Sequence, residues 1–187
     1  MTITEIINQI YPISLESREK IANLFEEVNY PKGQIILKSN RIETNLYFIK
    51  KGLVRAFTYQ NDQEITFWFG KENDIVLSMR SFIENKPAYE NIELLENSVF
   101  YKINTNLLKD LFLDDLELAN WGRRLFEIEL LKTEERLISR QVSTAKERYN
   151  DLMKNFPEYL MRIPLGYIAS YLGITQVSLS RIRAEIK

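Results

Sequence analysis

The chain has 187 residues, no cysteine, no histidine and a formal net charge of −1 at neutral pH. Without thiols or imidazoles there is no disulfide, no Cys nucleophile, no Ser-His-Asp triad and no Cys- or His-ligated zinc, haem or iron–sulfur group. Only carboxylate or lysine chemistry remains, so a binding protein is expected, with no catalytic residues, no metal and no cofactor.

Charge is distributed unevenly. Residues 1–139 hold 17 Lys+Arg against 22 Asp+Glu, and residues 140–187 hold 8 against 4. An acidic front joined to a basic tail fits a sensor attached to a DNA-facing module. The opening MTITEIINQI has no basic start followed by an apolar run, so no signal peptide is expected. No stretch approaches the ~18 apolar residues of a membrane span. A cytoplasmic protein that makes no membrane contact follows.

In chain order, Ser14 is a candidate cap for a helix over 14–28, in which Ile21, Leu24, Phe25 and Val28 recur at helical spacing. From about 30 to 103 short runs of β-branched and aromatic residues alternate with turn residues. The runs are Ile35–Leu37, Leu46–Ile49, Leu53–Tyr59, Ile65–Phe69, Asp74–Leu77, Ile92–Leu95 and Ser98–Ile103. Strands this short and this regularly spaced predict an antiparallel roll or barrel, not a parallel sheet with helical crossovers. A short helix follows from Asn104-Thr105 to near Phe112.

A long helix is predicted over about 115–140. Leu118, Trp121, Leu125, Ile128 and Leu131 form one stripe, continued by Leu137, Ile138 and Val142. Two burials are open to that stripe: a seam with a second copy of the chain, which is favoured, and packing on its own roll. Thr144 and Glu147 make a T-x-x-E capping box that opens a new helix, which Pro157 stops. The break at 139–144 is the expected domain boundary. The division is a sensor over 1–113, a dimerisation helix over 114–142 and a DNA-binding domain over 143–187.

Residues 163–187 read IPLGYIASYLGITQVSLSRIRAEIK. Pro164 suits a helix start, and Leu165, Ile168, Ala169 and Leu172 give that helix an inner face. Gly173 lies where it must end in a left-handed turn. Thr175 is placed to cap a second helix with inner residues Leu179, Ile182 and Ile186. Ala169, Gly173 and Leu179 meet the needs of a helix-turn-helix: a close crossing, a tight turn and an apolar lock. The outer face offers Val177, Ser180, Arg181 and Ala184, flanked by Gln176, Arg183 and Ser178. Small polar groups with an arginine suit base edges and phosphates, so Thr175, Gln176, Val177, Ser178, Ser180, Arg181 and Arg183 are the candidate DNA-binding residues.

IASYLGITQVSLSRIR, residues 168–183, resembles the helix-turn-helix of Crp/Fnr-type regulators, particularly their short-winged or wingless forms. YPKGQIILKSNRIETNLYFIKKGLVRAF, residues 30–57, resembles the opening of a cyclic-nucleotide-binding β-roll. The resemblance implies an α+β architecture in the family's order: an N-terminal antiparallel β-roll, a long dimerisation helix and an all-helical C-terminal helix-turn-helix domain. It implies a homodimer on double-stranded DNA, with Leu118, Trp121, Leu125, Ile128 and Leu131 at the interface. RNA polymerase and an unknown small-molecule effector are the further partners it suggests.

Two departures qualify that resemblance. The family's nucleotide pocket uses a Gly-Glu pair and then Arg-Ser or Arg-Thr, where this chain has Leu77-Ser78 and Ala88-Tyr89. Cyclic AMP is therefore not the expected ligand, and Trp68, Ser78, Arg80 and Tyr89 are the pocket candidates that remain. A β-hairpin wing is expected to be absent after the second helix, which would remove phosphate contacts. Competing readings are a ligand- or protein-binding module with a vestigial DNA-binding end, and a cupin-like enzyme that would need metal ligands on its strands.

Overall fold

The computed structural model describes residues 1–186. The chain opens with α1 (Ile3–Ile10), whose Thr2 and Glu5 close a capping box, and α2 (Leu15–Ala22), capped by Ser14. The helix expected over 14–28 therefore ends early, and β1 (Glu26–Tyr30) replaces its second half. The physical reason is long-range pairing: β1 hydrogen-bonds along its whole length to β8 (Ser98–Asn104). Ile21 then points into a helical core while Val28 packs into the roll, two layers that one helix face could not serve.

The roll is two four-stranded antiparallel sheets. One has the order β1-β8-β3-β6, with β3 (Asn45–Lys51) and β6 (Ile75–Val76). The other has the order β2-β7-β4-β5, with β2 (Ile35–Leu37), β4 (Val54–Gln60), β5 (Gln63–Gly70) and β7 (Asn91–Leu94). Strand β3 shows how the layers form. Residues 46–49 are all buried, yet they alternate: Leu46 and Phe48 face the helices, Tyr47 and Ile49 the interior between the sheets. A strand covered on both sides reads as a continuous apolar run. At the β4–β5 hairpin Asn61 and Asp62 both have positive φ, the backbone that lets a two-residue turn match the strand twist.

Helix α3 (Met79–Glu84) sits between β6 and β7, and α4 (Thr105–Asp114) follows β8. Then comes α5 (Leu116–Val142), 27 residues long, its N-terminus capped by Asp115 on the amides of Glu117 and Leu118. Leu118, Trp121 and Leu125 are buried in the chain's own helical core with Ile7, Ile21, Phe48 and Leu108. The Trp121 indole also donates to the Ile7 carbonyl at 3.0 Å. This corrects the expected seam: Leu118, Trp121 and Leu125 are already packed within one chain and have no surface left for a second copy. Ile128 is half-buried and Leu131 exposed. Apart from Leu116 at its start, the exposed large apolar side chains of α5 lie further along, at Leu130, Leu131, Leu137, Ile138 and Val142.

The last elements are α6 (Ala145–Asn155), a single turn α7 (Tyr159–Arg162), α8 (Leu165–Leu172) and α9 (Gln176–Ile186). The capping box at Thr144 and Glu147 forms as expected. The core of these helices is continuous with the roll, because Leu53, Phe69 and Leu95 pack among Tyr149, Tyr159 and Ile168.

Candidate nucleic-acid interface

Helix α8 starts at Pro164 and ends at Gly173, which adopts φ +69°. The turn closes with hydrogen bonds from the Gly173 amide to the Ser170 carbonyl and from the Ile174 amide to the Ala169 carbonyl, both 3.0 Å. Left-handed glycine at this place satisfies carbonyls that a helix end leaves unpaired. The Thr175 hydroxyl accepts from the Ser178 amide at 3.1 Å and caps α9. Ile168, Ala169, Leu172 and Leu179 are buried where the two helices cross.

Burying that inner face leaves the opposite face of α9 in solvent. Thr175, Gln176, Val177, Ser180 and Arg181 are exposed, and Ser178 and Arg183 are half-buried. Arg181 makes no ion pair among the described residues. Glu185, the acidic residue of the helix, is held by Lys146 of α6 at 2.7 Å, so its charge is offset locally. The outer face is thus a row of small polar groups and one methyl-bearing side chain around an unpaired guanidinium. That surface can donate to phosphates and to acceptors on base edges.

Several contacts fix the helix pair against the roll. Arg162 of α7 pairs with Glu72 at 3.0 Å and with Glu96, and Lys71 pairs with Glu158 at 2.6 Å. Burial raises the Glu72 carboxyl, but hydrogen bonds from Arg162 and the Gly52 amide outweigh it and hold the group below its ordinary value. The Lys71 ammonium does the same to Glu158. Arg55 is 2% exposed and lies between the rings of Phe57 and Tyr167. The sequence reading missed it. Its one signal is a charge in the apolar run LVRAF, which marks a buried partner without saying where that partner is.

The four sensor candidates do not converge. Ser78 is fully buried and caps α3, with its hydroxyl 3.5 Å from the Ser81 amide. Arg80 and Tyr89 are exposed, and Trp68 packs against the roll interior. The loop between α3 and β7 closes on its own chain: Ala88 is buried and exchanges backbone hydrogen bonds with Asn40 and Arg41, both 2.8 Å. The interior is filled by packed rings of Tyr30, Tyr47 and Phe100. Two surface clefts lie elsewhere, one beside Tyr30, Lys51 and Asn97, the other beside Gln9, Asn73 and Lys132. Among the described residues no group of carboxylates is arranged to hold a metal ion, and no helix is long and apolar enough to cross a membrane.

Comparison with known proteins agrees with this architecture. Residues 27–115 match the cyclic nucleotide-binding domain family. Electron transport regulator A of Shewanella oneidensis is 24% identical over 164 residues, covering 81% of this chain; the chain spans 64% of that protein's length. Among solved structures, FixK2 from Bradyrhizobium japonicum superposes with a TM-score of 0.75 at 17% identity, over 87% of this chain and 84% of that one. A regulator assigned to the Crp/Fnr family from Eubacterium rectale gives 0.72 at 19% identity, over 93% and 85%. Residues 27–115 thus resemble a cyclic nucleotide-binding domain, and the chain as a whole shares its α+β fold with the FixK2 and Eubacterium rectale structures.

Proposed function

We propose that this chain is a dimeric, sequence-specific DNA-binding transcription regulator of Crp/Fnr type that does not respond to cyclic AMP. The sensor spans residues 1–113, the dimerisation helix 114–142 and the helix-turn-helix domain 143–187. The observation that carries the reading is the outer face of α9, which stays solvent-exposed while its inner face is buried. Arg181 reads or anchors the DNA, with Thr175, Gln176, Val177, Ser178, Ser180 and Arg183 around it. The exposed stripe from Leu130 to Val142, which contains Leu131, is the seam for a second copy, with the half-buried Ile128 at its edge. Two α9 helices then meet successive major grooves of a roughly palindromic site.

Insensitivity to cyclic AMP is supported by Leu77-Ser78 and Ala88-Tyr89 in the family's phosphate-binding positions. Ser78 is engaged as a helix cap, and Ala88 is buried against the 40–41 loop. A different small effector, contact with RNA polymerase and a cytoplasmic location belong to the same reading. The net charge of −1 favours a second one, a ligand- or protein-binding module whose DNA-binding end is vestigial.

Selection from random genomic DNA fragments at two salt concentrations, for wild type and Arg181→Ala, separates the two. A regulator enriches recurring sites, and the log–log salt slope falls by about 0.9 for each phosphate contact removed. A loss of roughly 1–3 kcal/mol is expected if Arg181 reads a guanine. Enrichment of no site at either salt concentration gives the vestigial reading instead.

A further inference from the structure

Strand β5 lies at the open end of its sheet, where β4 is its hydrogen-bonded neighbour. An edge strand presents unpaired amides and carbonyls that a protein must cover. Here one serine covers two of them. The Ser170 hydroxyl of α8 accepts from the Thr66 amide at 2.9 Å and donates to the Glu64 carbonyl at 3.1 Å. It takes the place that a neighbouring strand would occupy, and Thr66 is fully buried as a result. One turn earlier on α8, the Tyr167 ring stacks on the Arg55 guanidinium at 3.7 Å, with Phe57 on the other side at 4.2 Å. Arg55 is held in that plane by Glu93 at 2.6 Å and Glu64 at 2.7 Å.

We infer that the edge of β5 is a docking strip for α8, and that Ser170 and Tyr167 are positioning residues that fix α8–α9 relative to the sensor. The two contacts lie three residues apart on one helix face, so together they set both its translation and its rotation. Each is chemically specific. The serine matches one amide–carbonyl pair on the strand, and a slip of one residue would present the strand's other side. The tyrosine ring matches a guanidinium whose plane is already fixed by two carboxylates. Any movement of the β4–β5 hairpin is therefore passed to α9 within one protomer, without travelling through α5. The inference concerns orientation and does not require that α9 meet DNA.

The test uses the full chain and needs no DNA. Because the sequence has no cysteine, a single pair of spin labels at Glu16→Cys and Asp151→Cys reports the sensor-to-domain distance. Amide exchange at Thr66 reports the dock itself. Ser170→Ala should raise Thr66 exchange about tenfold, the scale of one lost hydrogen bond at a local opening, while residues 46–49 keep their protection. Ser170→Ala and Tyr167→Ala should both broaden the label distance distribution. Tyr167→Phe, which keeps the stacking ring, should restore the wild-type distribution. If Tyr167→Ala fails to fold, Ser170→Ala still decides, since alanine is favourable in a helix. Unchanged Thr66 exchange and an unchanged label distribution in Ser170→Ala would overturn the inference, as would a Tyr167→Phe variant as broad as Tyr167→Ala.

Discussion

Arg148 offers the sharpest test of how the C-terminal helices are held. Its Nη1 donates to the carbonyls of Arg140 and Ser143 at the end of α5, and its Nη2 donates to the Leu172 carbonyl at the end of α8, 2.7 Å away. One guanidinium thus serves two helix C-termini, where unpaired carbonyls and the helix dipole both favour a cation. A hydrogen bond to a charged group contributes about 1.5–3 kcal/mol net. The Arg140 contact is long at 3.5 Å and adds little, and the side chain is only half-buried, so water replaces part of what is lost. Arg148→Ala should therefore destabilise the C-terminal helices by about 2–4 kcal/mol. Arg148→Lys reaches one helix end at a time and should recover roughly half of that. Both tryptophans, Trp68 and Trp121, lie in the packed cores of the N-terminal part. In urea unfolding, tryptophan fluorescence then follows the sensor while far-UV circular dichroism follows the whole chain. The variant should shift the dichroism midpoint down and leave the fluorescence midpoint nearly in place, so that the two probes no longer coincide. Coincident curves with a shift below about 0.5 kcal/mol would refute the bridging role.

Three further outcomes are expected. Trp121→Phe loses the indole donor to the Ile7 carbonyl and part of a buried ring, and should cost about 2–3 kcal/mol by urea unfolding; a neutral change would mean that α1 is not pinned by this bond. Gly52→Ala should cost more than Gly173→Ala. Both have positive φ, but a Cβ at Gly52 meets the Ser98 backbone at 3.0 Å while one at Gly173 meets open space, so about 2–3 against about 1 kcal/mol is expected, and the reverse order would contradict the geometry. Acid should loosen the C-terminal helices from the roll. Glu72 and Glu158 are held below the ordinary glutamate value of 4.5, so their contribution is complete above that value and is lost as pH falls through their lower folded values. The same spin-label distance, followed from pH 8 to pH 3, should broaden only below about 4.5; broadening already between pH 8 and 6 would point to other groups.

What was legible in the sequence was local. The capping box at Thr144 and Glu147 and the left-handed Gly173 each depend on neighbours a few residues away, and each forms as expected; the short strands were legible from their own alternation with turn residues, though not which strand pairs with which. The same box stands at Thr2 and Glu5, a signal for α1 that the sequence reading passed over. The failures were matters of partner choice. Residues 24–28 follow helical spacing, but β8 offers Val28 a whole strand of hydrogen bonds. The stripe on α5 was legible as a stripe. Its division at about residue 128 was not, because Leu125 and Leu131 are equally apolar and the positions of α1, α2, α4 and the β3–β6 face decide which of them is covered. The candidate DNA-binding face was legible because a helix with one buried side must expose the other. The contacts of Arg55 and Ser170 were not, since they join residues more than a hundred positions apart.

Besides the Tyr167–Arg55 stack, α8 has two hydrogen-bonded anchors, and the pair yields a prediction that neither gives alone. Ser170 ties the helix to β5, and the Leu172 carbonyl ties it through Arg148 to the end of α5. The attachment points are two residues apart on one rigid helix, but their roots lie on different parts of the molecule. Removing one anchor loosens α8, but the other root still limits how far the helix can turn. With both removed, α8–α9 keeps the Tyr167–Arg55 stack and the apolar contacts with Leu53 and Phe69, and its freedom to rotate is greater than either loss gives. The costs of Ser170→Ala and Arg148→Ala should therefore not add. The double variant should lose order beyond the sum of the two, with a coupling of about 0.5–3 kcal/mol in a double-mutant cycle on domain-opening exchange. Strict additivity would mean that the anchors act on independent elements and that α8 does not move as one body.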